Sequence, residues 1–225
     1  SMILLLEQFL NGLQFGVFLF LVSAGLTLVL GIMNVVNLAH GSLFMIGAYL
    51  TATFYAWTGS LWAALFLMIP ASLAIGVLVE VITLRRLYAR SHMDQVLATF
   101  GLILFFNEGV KIIWGADSQN MPIPDALSGG VEIIPGVPYP TIRLLIIGVG
   151  LLVAVILYLL ISRTRTGMLI RAGASNSPMI RAMGVNIRLL YTVIFSIGAF
   201  LAGLAGLMAA PLISVESGMG DDMLI

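Results

Sequence analysis

Six apolar stretches, each near the length that crosses a bilayer, follow one another along this chain and constrain it more than any single motif. They run roughly over residues 8–31, 42–57, 61–84, 95–114, 141–162 and 189–213. A spanning helix needs about 20 mostly apolar residues, and backbone in lipid must satisfy its own hydrogen bonds. The expected fold is therefore all-α, a polytopic transmembrane helical bundle of about six spans forming one domain over residues 1–225. Composition agrees: 60% of the residues are hydrophobic and 9% charged, against about 45–50% and about 25% in soluble domains. The second stretch, at 16 residues, suits a tilted, broken or re-entrant helix. The first lacks the basic start and small-residue cleavage site of a secretory signal peptide, so it reads as a mature span.

Ten basic and ten acidic residues cancel, so the electrostatic information lies in their positions. Arg85, Arg86 and Arg90 fall between spans three and four, and Arg163, Arg165, Arg171, Arg181 and Arg188 between spans five and six. Lys and Arg concentrate in short cytoplasmic loops, so both connections are expected inside. Asp117, Asp125 and Glu132, and then Glu216, Asp221 and Asp222, fall in the opposite connections. The N-terminus is expected outside if span two crosses fully and inside if it is re-entrant. The outer loop 115–140 holds five of the eight prolines; it cannot be a long helix, and its apolar patches favour a folded cap.

The inner loop 163–188 carries the clearest local signals. Asn176 or Ser177 can cap a helix, Pro178 fits its first turn, and Gly184 fits the left-handed residue after its end, predicting a short helix over Pro178 to Met183. So short a helix is unstable alone in water and has to lie against something. Met179 and Met183, four apart, share a face, with Ile180 beside them. The stretch reads either as a solvated basic connector or as a docking helix for a soluble partner.

The run Arg171-Ala-Gly-Ala-Ser-Asn-Ser-Pro-Met-Ile-Arg-Ala-Met-Gly-Val-Asn-Ile-Arg188, followed by Phe195-Ser-Ile-Gly-Ala-Phe-Leu-Ala-Gly-Leu-Ala-Gly206, resembles the coupling loop and following span of bacterial ABC-importer permeases. The segment from Gly25 to Tyr49, with its Gly31-Ile-Met-Asn-Val-Val-Asn-Leu-Ala-His-Gly41 core, is similar to that of the branched-chain amino acid permeases. Of the two permeases paired in such systems, the chain is similar to the H type over essentially its whole length. The resemblance implies a multi-pass subunit of the bacterial inner membrane. It would pair with a second permease, dock two ATPase subunits, and receive substrate from an extracytoplasmic binding protein. ATP and Mg would sit on the ATPases, with no cofactor in this chain. Ala172, Ala174 and Gly184 would occupy the coupling-loop consensus, and Ser175, Ser177, Pro178, Met179, Ile180 and Met183 would lie in an ATPase cleft. Arg171 and Gly173 depart from the best-known form of that consensus. Leucine, isoleucine and valine are the implied substrates, with urea or short amides as alternatives. Because family members continue with further spans, the apolar run from Met223 to Ile225 is expected to begin another span of a longer permease.

Asn34, Asn37, His40 and Gly41 form a second candidate group. Polar residues between two apolar stretches suit either an ordinary cytoplasmic turn or a broken helix along a translocation path. A lone His makes no acid–base pair or metal site, so no catalytic residue is expected. Gly12 and Gly16, and in span six Ala199 with Gly203 and Ala202 with Gly206, repeat at four residues and suit close helix packing. Glu108 and Lys111 can pair near the outer end of span four, with Asn107 adjacent, and Glu80 reads as an interfacial anchor close to Arg85 and Arg86. The chain lacks cysteine and a phosphate-binding GxxxxGK[ST] loop, which leaves no thiolate chemistry and no expected nucleotide site here. Nothing points to nucleic acid. A self-contained secondary transporter would need more intramembrane ionisable groups than Glu108, Lys111 and His40 supply.

Overall fold

In a computed structural model the chain is a bundle of helices with one short hairpin, and residues 2–115, 130–134, 137–210 and 219 are described. The elements in order are α1 (Met2–Leu28), closed by a π turn (Val29–Met33), α2 (His40–Thr58), α3 (Leu61–Ile82), a 3₁₀ turn (Leu84–Arg86), α4 (His92–Trp114), β1 (Gly130–Ile134), β2 (Val137–Pro140), α5 (Thr141–Arg163), α6 (Arg165–Ser175), α7 (Ser177–Ala182) and α8 (Ile187–Ala209). Among the described residues five helices are long and apolar enough to cross a membrane, namely those of Leu4–Met33, Leu61–Arg86, His92–Trp114, Ile142–Arg163 and Ile187–Ala209. The remaining expected span, 42–57, falls on α2, which is a helix but is covered by its neighbours along most of its length. The outer-loop residues 116–129, including Asp117 and Asp125, lie outside the described residues, as do Glu216, Asp221, Asp222 and the Met223–Ile225 run. Residues 135–136 also lie outside the described residues, and β1 and β2 on either side of them pair antiparallel.

The bundle is organised around α8, whose residues from Phe195 to Ala209 are almost all buried. It packs on α1, α2 and α3 at once. Lipid tails are as apolar as leucine, so helices associate in a membrane through close fit rather than through hydrophobic burial. The fit here is backbone to backbone. A Cβ on Gly47 of α2 would stand 2.5 Å from the Cα of Gly203, and one on Gly206 would overlap the carbonyl oxygen of Phe44. Ser72 and Met68 of α3 close over Gly203 from the other side. Gly12 and Gly16 differ: a Cβ at either position meets nothing within 4 Å, so among the described residues no helix packs on that stripe.

The path of the chain places its two ends. The α1–α2 connection meets the start of α4 through Gln95 and Thr99, next to the basic turn at Leu84–Arg86. Thr53, late in α2, receives the Trp114 indole N–H (2.6 Å) at the far end of α4. Helix α2 therefore runs back through the bundle. Arg143, at the start of α5, donates to Asn11 of α1 at 3.1 Å, so the beginning of α1 lies at the end opposite the arginine-rich loops.

Candidate functional site

The arginine-rich end carries two features side by side: a short helix on the surface and a buried polar seam beneath it. Helices α6 and α7 form the first. Thr164 caps α6 by accepting from the Gly167 N–H at 3.0 Å, in a turn so tight that a Cβ on Gly167 would overlap the carbonyls of Leu160 and Ile161. Helix α6 was not legible in the sequence as a separate element, although Thr164 followed by Gly167 carries its cap. Asn176 caps α7 by accepting from the Met179 N–H at 3.1 Å, and Gly184 closes it at φ +87°. The helix covers Ser177–Ala182, one residue ahead of the predicted span.

The faces of α7 divide cleanly. Ile180 is buried in a cluster with Ile32, Met33, Ile170, Leu190 and Tyr191, which anchors the helix to α1, α6 and α8. Met179 is 54% and Met183 72% exposed. Pro178, Ala174, Ser175 and Gly184 are also exposed, and Ala172 is half-buried. Ser177 is the first residue of α7. An adaptable methionine pair on a short helix that is otherwise pinned down suits a surface for a partner. Arg163, Arg165, Arg171, Arg181 and Arg188 are all exposed around it.

Between α7 and the bundle lies a cleft of about 510 Å³, lined by Ile32, Met33, Asn34, Tyr88, Arg181 and Tyr191 among others. Asn34 is exposed and sits in the left-handed conformation (φ 54°) that ends the π turn, a geometry Asn tolerates better than any residue but Gly. The others of the second candidate group lie deeper. Asn37, His40 and Gly41 are buried inside the bundle. The His40 Nε2 donates to the Val22 carbonyl at 3.1 Å, where α1 and α8 approach so closely that a Cβ on Gly25 would meet both His40 and the Gly198 carbonyl at 2.9 Å.

Between Asn34, whose N–H still closes on the Leu30 carbonyl, and Ala39, whose carbonyl takes the Ser42 N–H, the backbone leaves the helical ladder, and an orphaned buried N–H costs about 1–3 kcal/mol. Two residues of α4 that the sequence did not single out supply the partners. The Val36 N–H donates to Gln95 Oε1 at 2.9 Å, and the Leu38 N–H to Thr99 Oγ1 at 3.2 Å. The other end of the same amide, Gln95 Nε2, donates to the Leu87 carbonyl at 3.1 Å. Both side chains are buried in a helix of mostly apolar residues, the one signal that could have found them.

Glu80 corrects its sequence reading. It is buried, with no exposed side-chain surface, and is not an interfacial anchor. Its carboxylate accepts from Arg85 at 3.2 Å, from Thr192 of α8 at 2.9 Å, and from the Tyr88 hydroxyl. Burial, and then the Glu80 carboxylate beside it, hold the Tyr88 hydroxyl above its ordinary pKa, so Tyr88 stays protonated and donates. Its ring meets Tyr191 edge-on with centroids 5.2 Å apart. At the opposite end Glu108 and Lys111 pair at 3.4 Å, both exposed. Among the described residues no group of three or more His, Asp or Glu side chains stands together as a metal site.

The sequence matches, over residues 8–224, the family described as the permease component of the branched-chain amino acid transport system. The high-affinity branched-chain amino acid transport permease BraD of Pseudomonas aeruginosa is 32% identical over 216 residues, covering 90% of this chain and 70% of that protein. LivH of Escherichia coli K12 is 27% identical with the same coverage. The probable LivH of Methanocaldococcus jannaschii is 27% identical over 221 residues, 92% of this chain and 67% of its own. No solved structure matches.

Proposed function

The chain belongs to the branched-chain amino acid transport permease family and is a multi-pass protein of the bacterial inner membrane, and from that premise we propose that it is the H-type permease subunit of an ATP-driven importer. Helix α7 is the element on which the ATPases act. The observation that carries this reading is its division of faces, with Ile180 buried against α1, α6 and α8 and Met179 and Met183 exposed. A push on the exposed face moves the helices under Ile180 rather than α7 alone. Ala172, Ala174, Ser175, Ser177, Pro178 and Gly184 complete the contact. ATP and Mg belong to the ATPases.

A second permease completes the path. Helix α8 is enclosed by α1, α2 and α3, and two pockets beside it, around Met208 and around Ala199, hold about 30 and about 10 Å³. Such spaces admit at most a water or so, far less than an amino acid. This supports passage of substrate along a surface shared between two permeases, opened and closed as their rigid cores rock. Asn34 at the surface and Asn37, His40 and Gly41 inside the bundle serve that path as the joint between α1 and α2. Leucine, isoleucine and valine, delivered by an extracytoplasmic binding protein, are the substrates.

The test is purification of the intact complex from its native membranes, followed by Met183→Asp. A charge on the exposed face is expected to release the ATPases and abolish leucine-stimulated ATP hydrolysis, while the second permease stays bound. Retention of both ATPases and of stimulated hydrolysis overturns the docking role of α7.

A further inference from the structure

We propose that Gln95 is a positioning residue that carries movement of the inner turn, residues 84–90, to the α1–α2 joint. The inference rests on the importer reading above and asks how a push at α7 reaches the interior.

Among the described residues no hydrogen bond joins α7 to residues 36–39. The inner turn stands between them. On one side Tyr88 lines the cleft opposite Pro178, Arg181 and Ala182 of α7, and its ring rests on Tyr191. On the other side Leu87, one residue earlier, gives its carbonyl to Gln95 Nε2 at 3.1 Å, while Gln95 Oε1 holds the Val36 N–H at 2.9 Å. The Val36 N–H lies in an irregular segment off the helical ladder, and the Leu87 carbonyl, which also takes the Arg90 N–H at 3.0 Å, has a second lone pair for the amide. Each could be satisfied by a local side chain. Instead one carboxamide, 1% exposed, ties the two segments at a fixed separation. Thr99 extends the clamp by one turn, taking the Leu38 N–H and donating to the Gln95 carbonyl at 2.7 Å.

The joint that is held in this way is not at rest in every detail. Asn37 Nδ2, His40 Nδ1 and Ser42 Oγ are buried and meet no hydrogen-bond partner among the described residues. Buried polar atoms are paired in the great majority of settled structures. Three such atoms within six residues give this segment spare donors and acceptors that a second arrangement can use. Coupling between distant sites needs such a two-state element, biased from both ends. The joint is that element, and Gln95 is the tie through which the inner turn biases it.

The test uses the complex with its ATPases in lipid nanodiscs. Amide hydrogen exchange is followed with and without a non-hydrolysable ATP analogue, and ATP hydrolysed per leucine imported is measured in proteoliposomes. Wild type is expected to change exchange at Val36 to Ala39 several-fold when nucleotide binds. Gln95→Glu keeps the acceptor for Val36 and loses the donor to Leu87. It is expected to abolish that response while α7 still responds, and to raise ATP spent per leucine about tenfold. Gln95→Leu, neutral and close in volume, stands in if the acid prevents accumulation, with the same expectation. A nucleotide response at 36–39 that persists in the variant, or transport and hydrolysis falling in proportion, overturns the proposal and leaves Gln95 a structural clamp. Absence of ATPases from the wild-type complex, or of any response at α7, overturns the importer reading first and this inference with it.

Discussion

Two kinds of contact hold this bundle, and they meet along α8. Toward its C-terminal half, Gly203 and Gly206 lie against Gly47 and the Phe44 carbonyl, where backbones touch with no side chain between. At its start, Thr192 joins Glu80, Arg85 and Tyr88 in a seam of polar side chains. A backbone contact has one arrangement, because any relative shift brings main chain into main chain. A polar seam has several, because donors can trade acceptors at similar energy. The comparison teaches where such a protein stays rigid and where it can change state: α2, α3 and α8 move as one body, and their inner end is the part that can rearrange.

The largest effect is expected where the backbone contact is broken. Gly206→Leu has to force α2 away from α8, and overpacking of this kind costs about 3 kcal/mol or more. Loss of monodisperse protein in mild detergent checks it; a well-behaved variant would show that the glycine contact is loose. The seam should yield next. Glu80→Leu strips the Tyr88 and Thr192 hydroxyls and Arg85 of their common acceptor. Arg85 has 32% of its side chain exposed and can turn to water, so the cost falls to about 2 kcal/mol, below that of a fully buried broken pair. Thermal unfolding measures it. Thr99→Val removes one acceptor from the Leu38 N–H and should cost about 1 kcal/mol, with faster exchange confined to that amide and its neighbours. Smallest of all, Gly12→Ala meets nothing among the described residues and should stabilise α1 by at most about 1 kcal/mol. A clear loss of the second permease on purification of that variant would sharpen the comparison differently, by placing the idle glycine stripe against a partner.

Much of this was written in the sequence, for reasons that differ by residue. The long apolar stretches and the cap signals around α7 are local, and Asn176, Pro178 and Gly184 act within a few residues of themselves. The order of α8's small residues also announced close packing, but the same spacing at Gly12 and Gly16 did too, and spacing cannot say which stripe finds a neighbour. Gln95, Thr99 and Thr192 were missed because each acts across 59 to 112 positions of chain. Their chemistry is ordinary, and only the fold brings them to the groups they serve. Glu80 misled for a related reason: it stands near the end of α3, five residues before Arg85, which suggests a side chain reaching for the surface, whereas α8 arrives from elsewhere to bury it.

The two-ended amide of Gln95 has a consequence at the level of the gene. Single-base changes turn a glutamine codon into one for Glu, Lys, Arg, His, Leu or Pro, or into a stop. Glu gives up the donor, Lys and Arg the acceptor, Leu both, and Pro the helix as well; His keeps one of each on a ring of different shape. Asparagine, the one residue that keeps the whole carboxamide, lies two base changes away and is a methylene too short to span from Leu87 to Val36. The tie between the inner turn and the joint therefore has no gradual neighbours in sequence space, and a lineage that loses it has to rebuild the joint by other means.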